Sequence, residues 1–356
     1  EKQVNLNYYD DNSNDSTATL TPTTNILKSK AASIELNQVM DLQSNNLSSS
    51  SSHSNTWRTP DPIDLPPLSE MITSPLSYIV TVYNWLSSFA DPRVADWPLM
   101  SSPLPTLILF TLYLTGVKYG PGIMQNKRPW RLRWILVAYN LSISMLNLWM
   151  VLELSYCAYK LKYGIPCQLV NVSNDPYEMR IARVIWWYFM SKLFEFSDTL
   201  FFILRKKNNQ LSFLHVYHHS SMFLVWWVAA RFVPGGSSIT PTLVNCTVHV
   251  VMYLYYGLAA LGDRYKRYLW WKKYLTVMQL LQFMIGISFA IHMITTGCQF
   301  TRWMQYVFMA YAISFVVLFG NFYRHEYHVR PKVGPSSPST SQDTQQLIAK
   351  HNKKLI

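Results

Sequence analysis

KLFEFSDT (Lys192 to Thr199), HVYHH (His215 to His219) and NCTVHVVMYLYY (Asn245 to Tyr256) set basic, acidic and imidazole groups inside otherwise apolar sequence. Ionisable side chains in a bilayer-length run are costly, so such residues point to a functional site before they point to packing. On a helix, Lys192, Glu195 and Thr199 fall at i, i+3 and i+7. His215 stands three and four residues before His218 and His219, and Asn245, His249 and Tyr253 step by four. Each motif therefore presents one polar face.

Working outward, seven apolar runs lie near 104–120, 134–159, 182–204, 213–233, 239–262, 270–296 and 303–323. Each approaches or reaches the roughly 20 residues that cross a hydrocarbon core. The expected fold is all-α, a polytopic membrane protein with seven transmembrane helices. If the third span ends at Arg205, the fourth starts near Phe213, the fifth ends near Gly262 and the sixth starts near Trp270, depths follow from the helical rise. At ~1.5 Å per residue, Glu195, His218, His249 and Gln279 lie roughly 8 to 20 Å from one membrane face.

Composition agrees with this reading. The 356 residues are 49% hydrophobic and 15% aromatic, and a mean hydropathy of +0.04 averages a polar N-terminal segment with a strongly apolar body. The net charge of +12 sits mostly in short loops between apolar runs, where it orients spans rather than forming a nucleic-acid face. Cys157, Cys167, Cys246 and Cys298 form no CxxC pair, so a zinc ribbon or thioredoxin-type site is not supported. The chain starts at Glu1 without an initiator Met, so a short N-terminal piece is expected to be missing. With no cleavable signal peptide in view, targeting rests on the spans.

Four regions are expected. Residues 1–60 are a disordered Ser/Asn-rich tail, too poor in apolar side chains to offset ordering entropy. Residues 61–103 form an interfacial segment, in which YIVTVYNWLSSFADPRVADWPLM suits either a short amphipathic helix or a loosely packed loop. Residues 104–324 hold the spans, and 325–356 form a tail. The loops Lys118 to Arg133, Arg205 to Lys207, Arg264 to Lys273 and Arg324 to Lys332 carry 16 Lys and Arg, against 6 in Lys160 to Arg183, Arg231 to Thr240 and Gly297 to Arg302. The positive-inside rule then places the N-terminus in the lumen and the C-terminus in the cytosol. Glycosylation sequons begin at Asn14, Asn46 and Asn171, all on the lumenal side in this topology. The ending Lys353-Lys354-Leu355-Ile356 resembles the dilysine signal read on the cytosolic face of the endoplasmic reticulum.

Each motif also has a plainer reading. Lys192 and Glu195 suit a structural ion pair, although the second carboxylate at Asp198 is more than such a pair needs. Asn245, His249, Tyr253 and Tyr256, and likewise Thr276, Gln279 and Gln282, suit interhelical hydrogen bonding. Their common depth with HVYHH favours a site. A di-iron desaturase or hydroxylase also uses HxxHH, but needs about eight histidines, and only His215, His218, His219, His249 and His292 fall inside the spans. No metal is expected. A seven-span receptor would carry its Asp-Arg-Tyr after the third span; here Asp263-Arg264-Tyr265 follows the fifth.

KLFEFSDT, FLHVYHHSSM, NCTVHVVMYLYYG, YLWWKKYLT and TVMQLLQF, in this order and spacing, resemble the fatty acid elongase family over roughly Asp91 to Tyr327. VADWPLMSSPLPTL, RKKNNQLSFLHVYHH and the dilysine ending are most similar to members making very-long-chain products. The resemblance implies a condensing enzyme of the endoplasmic reticulum that joins acyl-CoA to malonyl-CoA, giving a 3-ketoacyl-CoA, CO2 and CoA. It implies six spans forming a barrel around a closed-ended acyl tunnel, with the first span peripheral. Its partners would be the reductases and dehydratase of the elongation cycle and further subunits of a homo- or hetero-oligomer; no cofactor is bound. Ser220-Ser221 and the long N-terminal tail depart from relatives, and the tail is given no catalytic role. Relatives keep a cysteine pair in the loops that hold Cys167 and Cys298, so a disulfide is expected there.

The residues fit this chemistry. Cys246 has no base within sequence reach, whereas a neutral imidazole can attack a thioester to give an acyl-imidazole. The resemblance favours His218 with His249 at the reacting centre. His218 is then the nucleophile, His249 a base or second acyl acceptor, and Lys192, Glu195 and Asp198 orient the imidazoles, with His215 and His219 beside them. Asn245, Tyr253 or Gln279 would stabilise the oxyanion. The CoA phosphates are expected against Lys206, Lys207, Arg264, Lys266, Arg267, Lys272 or Lys273.

Overall fold

The computed structural model describes residues 74–329 apart from 165 and 166. The long tail, the sequons at Asn14 and Asn46 and the dilysine ending lie outside the described residues. Among the described residues there is no strand, and the architecture is all-helical.

A first helix, α1 (Pro75–Ser88), precedes a 3-10 turn at Pro92–Val94. Helices α2 (Leu104–Ile123), α3 (Arg133–Lys160), α4 (Pro176–Phe194), α5 (Phe196–Leu204), α6 (Phe213–Phe232), α7 (Ile239–Ala260), α8 (Lys272–Thr295) and α9 (Arg302–Arg324) follow. Helical rods thus occupy all seven predicted runs. Four regions, Arg133–Lys160, Gly236–Ala260, Lys272–Thr295 and Arg302–His328, are long and apolar enough to cross a membrane by length and composition. The count of seven expected spans is not met by that measure. The reason is chemical: α4 carries Glu178, Arg180, Arg183 and Lys192, α6 carries three histidines and Arg231, and α2 carries Lys118 with Pro121.

Two boundaries differ from expectation. The third rod begins at Pro176 rather than near 182, because the Asp175 carboxylate accepts from the Tyr177 and Glu178 amides at 2.8 and 3.3 Å with Pro176 at the first helical position. The same rod breaks at Glu195, so KLFEFSDT is not one continuous helical face. The Tyr139 hydroxyl donates to the Phe194 carbonyl at 3.3 Å beside the break, supplying a partner from α3.

Neighbouring helices form a cycle. Helix α3 packs on α4 and α7, α4 on α6, α7 on α8, and α8 on α9. Side chains join α9 back to α6: Tyr217 to Ser314 at 3.2 Å and Ser221 to Tyr311 at 2.6 Å. Helix α2 stands outside this cycle, against α5 and α6. Alternating helix directions collect the basic loops at one end of the helices. At the other end Cys167 is disulfide-bonded to Cys298, while Cys157 and Cys246 are free and buried. Here the turn after α6 needs a glycine: Gly236 has φ +56°, and a Cβ would come within 2.6 Å of the Gln168 carbonyl. Ser237 N donates to that carbonyl at 2.8 Å.

Candidate functional site

The polar residues of α4, α5, α6 and α7 turn inward toward one another. Lys192 Nζ lies 2.7 Å from Glu195 Oε1, and the two side chains are 1% and 0% exposed. The ammonium also sits over the Tyr188 ring, 4.4 Å from its centroid. His249 Nδ1 lies 3.4 Å from Glu195 Oε1, within ion-pair range but without hydrogen-bond geometry, and Glu195 Oε2 has no hydrogen-bond partner. One carboxylate therefore holds two basic groups that approach it from different helices. Burial at this level makes the pair costly to break and restricts both side chains to one arrangement.

Asp198 and Thr199, in the first turn of α5, reach different partners. Asp198 Oδ2 accepts from the Tyr253 hydroxyl at 2.8 Å, tying α5 to α7. Thr199 turns instead toward α2 and α6: its Oγ1 lies 3.1 Å from Tyr113 Oη and 2.8 Å from His215 Nε2. Lys192 and Glu195 thus pair with each other, with His249 of α7 beside Glu195, whereas Thr199 serves α2 and α6.

The HVYHH histidines also divide. A step of three residues rotates a side chain by about 300° and a step of four by about 400°, so His219 is nearer than His218 to the face of His215. The ring centroids agree: His215 and His219 are 4.3 Å apart, and His218 turns to the other side. The single polar face expected of HVYHH is therefore divided in two. His218 lies 6.5 Å from His249 and 5.4 Å from Phe315, centroid to centroid, and lines a long apolar cavity.

Asn245 lines the same cavity, and its Oδ1 accepts from the Tyr188 hydroxyl at 2.5 Å. That bond fixes the amide and leaves Nδ2 as the donor side. From His218 and Asn245 the cavity runs between apolar side chains to Val233, Ser237, Phe300 and Met304 at the disulfide end. Gln279 does not join the histidines; its amide donates to Met252 Sδ at 3.3 Å on α7. Gln282, one turn further along α8, lines the cavity with a buried, unpartnered Oε1. A shared depth therefore does not by itself give Gln279 and Gln282 a shared direction.

The basic residues expected to meet CoA gather at the basic end and are differently engaged. Lys206 Nζ donates to the Gln125 carbonyl at 2.7 Å, and Lys272 pairs with Glu326 at 2.9 Å. Arg267 stacks on Tyr268 and Lys273 on Tyr323. Lys207 and Arg264 are exposed, and the side chain of Lys266 lies outside the described residues. Asn171 is exposed near the disulfide end. Among the described residues no three His, Cys, Asp or Glu side chains converge as a metal site would require.

Reading the sequence missed Tyr188, Tyr113 and Tyr139. Tyr188 carried a signal, since it stands four residues before Lys192 on the same helix. Tyr113 and Tyr139 carried none, because each reaches the site from another helix.

The GNS1/SUR4 (ELO) family model matches residues 98–334. The chain is 45% identical over 292 residues to very long chain fatty acid elongase 4 of Homo sapiens, covering 80% of this chain and 93% of that protein. It is 42% identical over 241 residues to very long chain fatty acid elongase 2 of Mus musculus, covering 68% and 82% respectively. With very long chain fatty acid elongase 5 of Xenopus tropicalis the identity is 44% over 238 residues, covering 67% and 80%.

Proposed function

The chain belongs to the GNS1/SUR4 (ELO) family, and from that premise we propose that it elongates very-long-chain fatty acids as the condensing enzyme, a 3-oxoacyl-CoA synthase. The observation that carries this reading is the half-buried His218 ring, 6.5 Å from the buried His249 ring and sharing the lining of an apolar cavity with Asn245.

In this reading His218 adds to the thioester carbonyl of acyl-CoA. The C–S bond breaks, and CoA leaves as the thiol with the proton the imidazole gives up, so a neutral acyl-imidazole remains. Malonyl-CoA then loses CO2, and the electron pair of the broken C–C bond attacks the acyl carbonyl. The new C–C bond forms as the C–N bond to His218 breaks, and one proton is taken up overall as one carboxylate is lost. His249, held by Glu195, acts as base or second acyl acceptor, and Asn245 Nδ2 donates to the developing oxyanion. Lys192, Glu195 and Asp198 with Tyr253 hold these groups in place.

The same proposal reads the seven rods as seven spans, six of them a barrel around an acyl tunnel with α2 peripheral. The basic end faces the cytosol, where Lys207 and Arg264 are open to CoA phosphates, and the disulfide end faces the lumen of the endoplasmic reticulum, with Asn171 glycosylated. Further subunits and the reductases and dehydratase of the cycle are the expected partners. Incubation of purified protein with acyl-CoA alone tests the chemistry: CoA should be released and a hydroxylamine-sensitive acyl group should stay on the protein. His218→Ala should lose both the adduct and condensation. An acyl-enzyme on His218→Ala would transfer the role to His249, and no CoA release from the parent before malonyl-CoA is added would refute the covalent mechanism.

A further inference from the structure

Helix α1 has three distinct faces and no charged residue. With Leu76 at zero and 100° per residue, Leu76, Ile79, Val80, Tyr83 and Leu86 occupy an arc from about 280° to 40°. All five are exposed, Leu76 by 73% and Ile79 by 62%, with Ser87 half-buried at about 20° in the same arc, so the aliphatic side chains of this stripe lie uncovered among the described residues. Tyr78, Val82 and Trp85 lie at about 180° to 240° and are half-buried. Ser77, Thr81, Asn84 and Ser88 fill about 80° to 140° and are exposed. A helix standing upright in lipid would have no use for a polar stripe, and one lying on an aqueous surface would bury its apolar stripe.

The level of the helix is set by its contacts. Three residues past α1, the Asp91 amide donates at 2.9 Å to the carbonyl of Arg231, at the last turn of α6. Tyr83 Oη donates to the Ser101 carbonyl at 3.4 Å, just before α2. On α2, read above as the peripheral span, Leu104, Leu107, Ile108 and Leu112 are exposed as well, so the proposal rests on that reading of α2 as a membrane rod.

We propose that α1 is an in-plane anchor at the bilayer boundary of the disulfide end. Leu76, Ile79, Val80, Tyr83 and Leu86 enter the acyl region of that leaflet, Tyr78, Val82 and Trp85 face the protein, and the Ser, Thr and Asn stripe faces water. The occupant of the apolar stripe is lipid hydrocarbon. Because the helix carries no charge, its immersion is independent of anionic headgroups, unlike the usual basic interfacial helix.

Spin labels on single cysteines test this in the full chain reconstituted into phosphatidylcholine vesicles, with the unlabelled parent controlling for buried Cys157 and Cys246. Labels at positions 76, 79, 80 and 83 should be relaxed by oxygen in preference to a water-soluble nickel chelate, and labels at 77, 81, 84 and 88 the reverse. Adding phosphatidylserine should leave the pattern unchanged. Water accessibility on both stripes, immersion only with phosphatidylserine, or shielding of the apolar stripe from both reagents would each overturn the proposal; the last outcome would mean that protein, such as a second copy or residues 1–73, covers it.

Discussion

Ala229 lines the cavity partway between the histidines and the disulfide end, and its replacement by Phe gives a quantitative test of the tunnel. Ala229 lies eleven residues beyond His218 on α6, and Val233 fifteen, which places them about 16 and about 22 Å along the helix. An extended acyl chain with C–C bonds of about 1.5 Å advances about 1.25 Å per carbon, so these depths correspond to about 13 and about 18 carbons. Phe at 229 should therefore leave room for a 12-carbon chain, whereas an 18-carbon chain loses the seating of about five methylenes. At about 0.8 kcal/mol per methylene the loss is about 4 kcal/mol, roughly a thousandfold in relative kcat/KM. General strain from overpacking, about 1–3 kcal/mol, lowers both substrates alike and cancels in the ratio. The assay is condensation with labelled malonyl-CoA across acyl-CoA lengths. An equal loss at about 12 and about 18 carbons would refute the reasoning, because the chain would then not pass Ala229.

Lys192→Met should destabilise the protein by about 3–5 kcal/mol in detergent denaturation by leaving Glu195 buried without its ammonium, and Lys192→Met/Glu195→Leu should recover most of that; additive losses would count against the pair. Tyr113→Phe removes one buried hydrogen bond to Thr199 and should lower kcat about fivefold with KM unchanged, a cost of about 1 kcal/mol, whereas an unaltered kcat would separate α2 from the site. Cys167→Ser/Cys298→Ser opens a loop with a sequence separation of 131 and should cost up to about 5 kcal/mol by the chain-entropy relation; free alkylation of both thiols in the non-reduced parent would deny the bond.

The seven helical runs were legible because length and apolarity are properties of the chain alone: α3, α7, α8 and α9 begin and end within two residues of their predicted limits. The break at Glu195 was not legible, because every residue from Lys192 to Leu204 is compatible with a helix and the interruption is supported from outside, by Tyr139 on α3. Direction around each rod was read with the same mixture of success. His218 and His249 could be named from their motifs. The rotation that separates His218 from His215 and His219 follows from helical steps of three and four residues and was open to the sequence, whereas the direction of Gln279 was not, because spacing gives its depth and not its azimuth.

The count of four candidate spans and the candidate site share a chemical basis. The helices that fail the apolarity criterion include α4 and α6, which supply Lys192, His215, His218 and His219. A scale that scores each residue against lipid penalises these groups, although they face one another inside the cycle of helices and not hydrocarbon. Glu195 shows why the penalty misleads: its carboxylate is fully buried, yet the cation it needs stands three residues earlier on the same chain. Polar residues that lower the membrane signal of α4 are thus the ones that fix its orientation, since turning the helix outward would expose Lys192 and Glu195 to lipid. If α4 spans the membrane as proposed, span and site are one constraint, in which the cost of a charge in hydrocarbon holds the Lys192 and Glu195 face inward.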